Sequence, residues 1–279
     1  MKILAGCAPC QPFSKHTQKN KDREKDEKWG LLYQFLDLIT KIRPEIVSME
    51  NVPQITKQKV FKDFVNSLES QNYNVSWELV YCPDYGIPQT RTRMVLLASI
   101  LGDIKLIPRT HSPSNYRTVR SVIENLEPLC DGGISDKDCM HRSPKLSPLN
   151  KERIRQSVPG GTWRDWDRTI VASCHSKSSG RTYSSVYSRM EWDKPAPTIT
   201  TQFYGFGTGR FGHPEQDRAL SFREGALLQT FPKTYKFYDK RESFSGALLG
   251  THIGNAVPVR LGTIIGKSII KHVEIYKNV

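Results

Sequence analysis

The stretch Ile3–Ser14, ILAGCAPCQPFS, runs from a short apolar strand straight into a Pro-Cys-Gln turn. A cysteine on the loop at the carboxyl end of a strand stands where open α/β sheets place their ligands, and Pro9 and Pro12 on either side stiffen the turn that presents Cys10. This address makes Cys10 a candidate nucleophile and an α/β fold the expectation for the rest. Plainer readings compete. A cysteine can be a small buried hydrophobe with no chemical role, and Cys7-Ala8-Pro9-Cys10 has the C-x-x-C spacing of redox pairs and zinc half-sites. A thioredoxin-type pair needs its second Cys at the start of a helix, whereas Gln11–Ser14 leads into a charged stretch, 15–28, without apolar periodicity. A zinc site needs two more ligands, and Cys130, Cys139, His141 and Cys174-His175 supply no second C-x-x-C or H-x-x-x-H, so no metal is expected.

Composition narrows the class. A chain of 279 residues with 37% hydrophobic side chains can build a proper core in one large or two smaller domains. Its 41 Lys and Arg against 28 Asp and Glu give a formal charge of +13, which points to a polyanionic partner, nucleic acid first. Six cysteines without a compact disulfide pattern suit reduced thiols and the cytoplasm. Leu4-Ala5-Gly6-Cys7 matches a lipoprotein cleavage box, but the three apolar residues Ile3–Ala5 fall far short of the roughly 7–15 that a signal core needs. The longest near-apolar run, Met94–Leu101, is too short to span a membrane.

Outward from the turn, the first hundred residues carry strand and helix signals in alternation. Strands are expected at Ile3–Ala5, Glu45–Met49, Val75–Tyr81 and Met94–Ser99. A helix over Trp29–Ile42 has apolar residues at 32, 35, 36, 39 and 42 and stops before Pro44, and Val60, Phe61, Phe64, Val65 and Leu68 mark a second. The second strand delivers Glu50-Asn51-Val52-Pro53 to the same sheet edge as Cys10, so a carboxylate and a thiol converge. In Gln89-Thr90-Arg91-Thr92-Arg93 the two arginines, one residue apart, project to one side of an extended segment and suit an anionic or carbonyl-rich ligand. Beyond residue 100, Pro108, Pro113, Pro144, Pro148 and Pro159-Gly160-Gly161 break the rhythm, and aromatic and basic residues interleave through 163–192. At the C terminus Leu261, Ile264, Ile265, Ile269, His272 and Val273 share a helix face, with His272 read as a boundary residue.

PCQPFS at 9–14, ENV at 50–52, QTRTR at 89–93, RALSFREGALLQTFP at 218–232 and GNAVP at 254–258 resemble, in order, the signature blocks of the DNA (cytosine-5)-methyltransferases of bacterial or phage restriction-modification type. The resemblance spans nearly the whole chain. It implies an α/β fold: an incomplete doubly wound, Rossmann-like S-adenosylmethionine-dependent methyltransferase sheet with a smaller target-recognition domain. On it, 1–99 is a truncated catalytic domain with the nucleophile loop, 100–217 the target-recognition region, and 218–279 the part that closes the catalytic domain. Cys10 resembles the nucleophile that attacks carbon-6 of a flipped cytosine, and Glu50 the acid that bonds the exocyclic amine and protonates ring nitrogen 3. Arg93 resembles the residue that contacts the base carbonyl, and Arg91 a support for the site; both would raise the thiolate fraction of Cys10. The stretch 15–28 resembles the mobile loop that closes on DNA. Arg164, Arg168, Arg181, Arg189 and Arg210 suit guanine edges or phosphates, and the sequence does not sort them.

Pro9, Leu32, Asn255 and Ala256 resemble contacts around S-adenosylmethionine. The family opens with an F-x-G-x-G block after its first strand, and here Met1 stands a few residues before the strand that leads to Cys10, so the first strands are expected to be missing and the cofactor pocket only partly encoded. A complementing polypeptide carrying that block, an accidental truncation, or a catalytically incomplete DNA-binding protein would each account for this. On the first reading the partners are double-stranded DNA and the complementing polypeptide, with no membrane. In the chain alone the strand Ile3–Ala5 is expected to lack a neighbour, and the face Leu261, Ile264, Ile265, Ile269 to lack its covering.

Overall fold

The structure, a computed structural model, describes residues 1–8, 30–178, 180–238 and 244–277. Pro9, Cys10 and the charged stretch 15–28 therefore lie outside the described residues. The strands are β1 (Ile3–Gly6), β2 (Ile46–Asn51), β3 (Asn74–Tyr81) and β4 (Thr92–Ser99). The helices are α1 (Leu31–Ile42), α2 (Lys59–Ser70), α3 (Arg120–Ile123), α4 (Pro148–Gln156), α5 (Ser173–Ser176), α6 (Phe222–Leu228), α7 (Gly246–Asn255) and α8 (Val259–Lys277). They fall into two compact units: Met1–Tyr85 with Thr92–Thr110 and Leu261–Val279, and Gly86–Arg91 with His111–Arg260. Residues 218–260 thus pack with 111–217, a different division from the three stretches expected.

In the first unit the four strands form one mixed sheet, ordered β1-β2-β4-β3, with β1 parallel to β2 and the other pairs antiparallel. Side chains alternate between the faces. Val47 and Met49 of β2 and Met94, Leu96 and Ala98 of β4 join Leu32 and Ile39 of α1 and Phe61, Phe64 and Leu68 of α2 in one core. Ile46 and Leu97 point the other way, onto Ile104 and onto Ile269 and Val273 of α8. Helical cover on both faces is why β2 is buried along its whole length, its polar Ser48, Glu50 and Asn51 included. α1 ends where Arg43 turns left-handed (φ 49°) and donates its N–H to Ile39 O, just before Pro44. Gly6 is required by packing: a Cβ there would come within 2.6 Å of the Phe35 ring of α1.

One expectation is corrected. The α8 face does not lack covering: Leu261, Ile264 and Ile269 are all buried, because the sheet's second face and the segment around Ile104 and Leu106 lie against that helix. His272 is buried on this face too and bonds Ser99 Oγ at 2.8 Å; burial lowers its pKa. β1 does stand at the end of the sheet, with Ile3 47% exposed.

The second unit has short helices joined by turns. Its larger core gathers Val119, Met190, Ile199, Phe203, Phe211, Phe222 and Ile253, and a smaller one gathers Ile154, Trp166, Phe206 and Ala219. Among the described residues no helix is long and apolar enough to cross a membrane, and no group of three or more His, Cys, Asp or Glu side chains is placed to hold a metal ion.

Candidate active site

β1 and β2 run parallel with Gly6 opposite Met49, so the next residues, Cys7 just past β1 and Glu50 near the end of β2, stand side by side at the carboxyl end of the two strands. The Cys7 thiol donates to Glu50 Oε2 at 3.1 Å. The other oxygen, Oε1, lies 3.0 Å from Arg93 Nε. Register explains the arginine: Glu50 pairs with Val95 across the antiparallel β2–β4 ladder, and Arg93 shares the Val95 face two residues earlier. Arg93 Nη1 also donates to Thr92 O at 2.8 Å, which fixes the guanidinium. Asn51, almost fully buried, donates to Ala8 O at 3.0 Å and accepts from Val52 N–H at 2.8 Å. The backbone that leads to Cys10 is thereby fastened to the end of β2. The result is an enclosed carboxylate, 6% exposed, with a cation on one oxygen and a thiol on the other. Cys7 as its partner was missed in the sequence, although the equal offsets of Cys7 and Glu50 beyond paired residues of a parallel ladder carry that signal.

Arg91 belongs to the second unit and is 3% exposed. Its Nη1 donates to Ile199 O at 2.9 Å, and Nη2 to Gly254 O at 3.4 Å and Ala256 O at 3.5 Å. Gln229 Nε2 donates to Ile253 O at 2.7 Å, and Gln89 Nε2 to Leu228 O at 3.0 Å and Gln229 Oε1 at 2.8 Å; Gln89 Oε1 accepts from Ile199 N–H at 3.2 Å. One buried lattice of amides and a guanidinium therefore joins 89–91, 196–199, 228–229 and 253–256. Neither glutamine was singled out in the sequence, though both lie inside the signature blocks. Asn255 is exposed at the end of α7 on backbone that this lattice holds, and Ala256 is half-buried beside it. Leu32, 1% exposed, is enclosed in the α1–sheet core.

The arginines separate by their surroundings. Arg189 is buried and fully engaged, donating to the carbonyls of Ile154, Ser157, His213 and Gln216 and pairing with Asp217. That is a structural role, and it removes Arg189 from the candidate DNA contacts. Exposed Arg164 stacks over Trp163 and donates to Arg181 O at 2.8 Å. Arg168 and Arg181 are exposed. Arg218 and Glu224 form a bidentate pair, at 2.8 and 2.7 Å, with both side chains 1% exposed. Burial pushes the Glu224 carboxyl up, but its bonds to Arg218, the nearby His213 and the Ser221 N–H outweigh this and hold it at about 2. Burial drives the neighbouring His213 down to about 4, only partly opposed by Glu224.

With this geometry in hand, comparison with known proteins is specific. The family model for C-5 cytosine-specific DNA methylases matches residues 1–271. The chain is 54% identical over 276 residues to the Type II methylase M.HgiDII of Herpetosiphon aurantiacus, covering 98% of this chain and 77% of that protein. It is 32% identical to the Type II methyltransferase M1.BsuMI of Bacillus subtilis, covering 94% of this chain and 59% of that protein. Against M.PspPI of Psychrobacter the chain spans 64% of the relative's length, again under two thirds. In fold alone it is similar to a DNA modification methyltransferase from an E. coli prophage, with TM-score 0.67 at 19% identity, covering 100% of this chain and 80% of the other. The S. pombe Dnmt2 methyltransferase has a TM-score of 0.61 at 14% identity, covering 98% of this chain and 78% of the other.

Proposed function

This chain belongs to the C-5 cytosine-specific DNA methylases, and from that membership we propose that it methylates carbon-5 of a cytosine within a specific duplex DNA sequence, with S-adenosylmethionine as the methyl donor. The observation that carries the reading is Glu50, held between the Cys7 thiol and Arg93 at the sheet edge where Asn51 bonds Ala8, two residues before Cys10 in the chain. A ring carbon of cytosine is a weak nucleophile until a thiolate adds beside it, so Cys10 adds to carbon-6 and divides one hard transfer into two easier steps. For ring nitrogen 3 to take up a proton as that bond forms, Glu50 must carry one when the base is bound, and it passes that proton to the ring and is left as the carboxylate that faces Arg93. Arg93 fixes the direction of the carboxyl group. The cytosine must leave the stack first, at a cost of a few kcal/mol. When bound, S-adenosylmethionine supplies an electrophilic methyl group. Asn255 suits a contact to it, because the residue is exposed and its backbone fixed; Leu32 is enclosed in the α1–sheet core, and Pro9 lies outside the described residues. We assign sequence choice to 100–217, and the work of the protein to the cytoplasm, where its DNA and reduced thiols belong.

Removing the Cys7 donor should weaken the hold on Glu50 without touching DNA binding. Cys7→Ala should cost roughly 1 kcal/mol in the transition state, about a fivefold drop in kcat at unchanged KM for DNA, and Cys7→Ser should restore most of it. Steady-state transfer of labelled methyl by the three proteins decides; equal loss in both variants would mean that Cys7 only packs.

We also propose that a segment carrying an F-x-G-x-G block pairs with β1. Two features support it: a parallel strand at the sheet end with Ile3 47% exposed, where parallel strands are ordinarily covered, and the exposure of Tyr33 (42%) and Leu38 (48%) on the adjoining α1. Co-expression with such a segment should raise the melting temperature and S-adenosylmethionine affinity together. A monomer of the chain alone that melts cooperatively and binds the cofactor at micromolar concentration would refute the pairing. Sequence-selective binding with no methyl transfer, in the completed protein, would favour the DNA-binding-module reading instead.

A further inference from the structure

Arg210 differs in its surroundings from Arg189 and Arg164. It lies in Gly205-Phe206-Gly207-Thr208-Gly209-Arg210-Phe211-Gly212, a glycine-rich loop pinned at both ends by aromatic anchors: Phe206, 1% exposed in the smaller core, and Phe211, 2% exposed in the larger one. The glycines let the backbone lie against rings, since a Cβ on Gly207 would come within 2.7 Å of Tyr187 and one on Gly209 within 2.5 Å of Phe211. Arg210 is half-buried, its Nε is wholly out of solvent, and that Nε makes no hydrogen bond. No ion pair reaches its guanidinium among the described residues. By contrast Arg189 is saturated by carbonyls and Asp217, while Arg164 has a stacking partner and a carbonyl. A buried Nε without a partner costs stability in the free protein, and the half-buried guanidinium keeps its other donors for a ligand. Holding it on a rigid loop makes sense where a ligand completes it.

We propose that Arg210 reads a guanine in the target sequence, donating two hydrogen bonds to O6 and N7 in the major groove. This rests on the reading of the chain as a sequence-specific DNA methylase. The rigid mounting favours a base over a phosphate: a bidentate base contact needs a fixed fork, whereas a phosphate accepts a point charge on a flexible stem. The loop supplies that fixity, and lysine cannot reproduce the fork.

The test is selection of bound duplexes from a random library by the full chain, wild type, Arg210→Lys and Arg210→Ala, followed by affinity for the selected site at several salt concentrations. Wild type should enrich a motif with at least one guanine; Arg210→Lys should keep the charge yet lose discrimination at one guanine position by about 10- to 100-fold. Should the alanine variant fold poorly, wild type and Arg210→Lys suffice, probed on sites carrying 7-deazaguanine at each guanine in turn: one position should weaken wild type and leave the lysine variant unaffected. A lysine variant with the same motif, together with an alanine variant that lowers affinity evenly and makes the salt slope shallower by about one, would mean a phosphate contact and overturn the inference. Failure of wild type to enrich any motif would overturn it as well. Enrichment without methyl transfer would count against the catalytic reading alone, and the arginine would still stand or fall on the motif.

Discussion

Cys10→Ser should reduce methyl transfer by on the order of a thousandfold or more while leaving affinity for the target duplex within about twofold. The hydroxyl is close to the thiol in size but is almost wholly un-ionised near neutral pH, and a nearby cation cannot bridge that gap in acidity. Everything else that prepares the base stays in place: Glu50 still has its thiol and guanidinium partners, and Asn51 still holds Ala8. Loss of rate at unchanged binding therefore isolates the covalent step. Single-turnover transfer of labelled methyl, with the completed protein if a β1-pairing segment proves necessary, is the measurement. Turnover near wild type would remove Cys10 from the chemistry, and loss of binding in parallel with rate would assign it to the fold.

Arg218→Ala should cost about 3–5 kcal/mol of folding stability, the usual consequence of leaving a buried charge unpaired. Glu224 is 0% exposed and depends on Arg218 for two of its bonds. Replacing both residues by leucine-sized apolar groups should cost less than the single change, because no orphaned charge remains. Acid should act in the same direction through the neighbours. His213 stays neutral in the fold down to about 4 against an ordinary 6.5, so between those values the unfolded chain takes a proton that the folded chain refuses. Stability should fall by about 1.4 kcal/mol per pH unit across that window, roughly 3 kcal/mol in all. Glu224, held at about 2, adds a second loss of the same sign as pH drops below its ordinary 4.5. Urea unfolding from pH 7 to pH 4 checks both claims; a flat profile, or an alanine variant as stable as wild type, would contradict them.

Much of the first unit was legible because its elements are made by apolar periodicity. β2 reads as a buried strand through Ile46, Val47 and Met49, α2 through Val60, Phe61, Phe64 and Leu68, and both were placed within a residue or two. That the chain just before Cys10 runs to the same sheet edge as Glu50 followed from strand direction alone, although Cys10 itself lies outside the described residues. What the pattern could not carry were choices settled by partners distant in sequence. The α8 face looked unprovided for because Ile104 and Leu106, which help to cover it, sit in an irregular segment without a periodic signal. Arg189 looked like a DNA contact because nothing local in the sequence shows that the carbonyls of Ile154, Ser157, His213 and Gln216 converge on it. Arg91 and Arg93 have the same spacing as any alternating pair, yet one holds carbonyls in the second unit and the other faces Glu50 in the first.

The amide and guanidinium lattice around Arg91 also has a consequence in time. Its members, at 89–91, 196–199, 228–229 and 253–256, emerge from a ribosome widely separated, and at roughly 5–20 residues per second the last arrives many seconds after the first. Until residue 256 is available, Gln89, Arg91 and Gln229 have buried positions to fill and carbonyls that do not yet exist to receive them. Local helices such as α4 can form early, but the second unit can close only late, through contacts of high sequence separation that make folding slow. Nascent chains stalled before that point should be protease-sensitive across 111–260, and slower translation would lengthen the exposure.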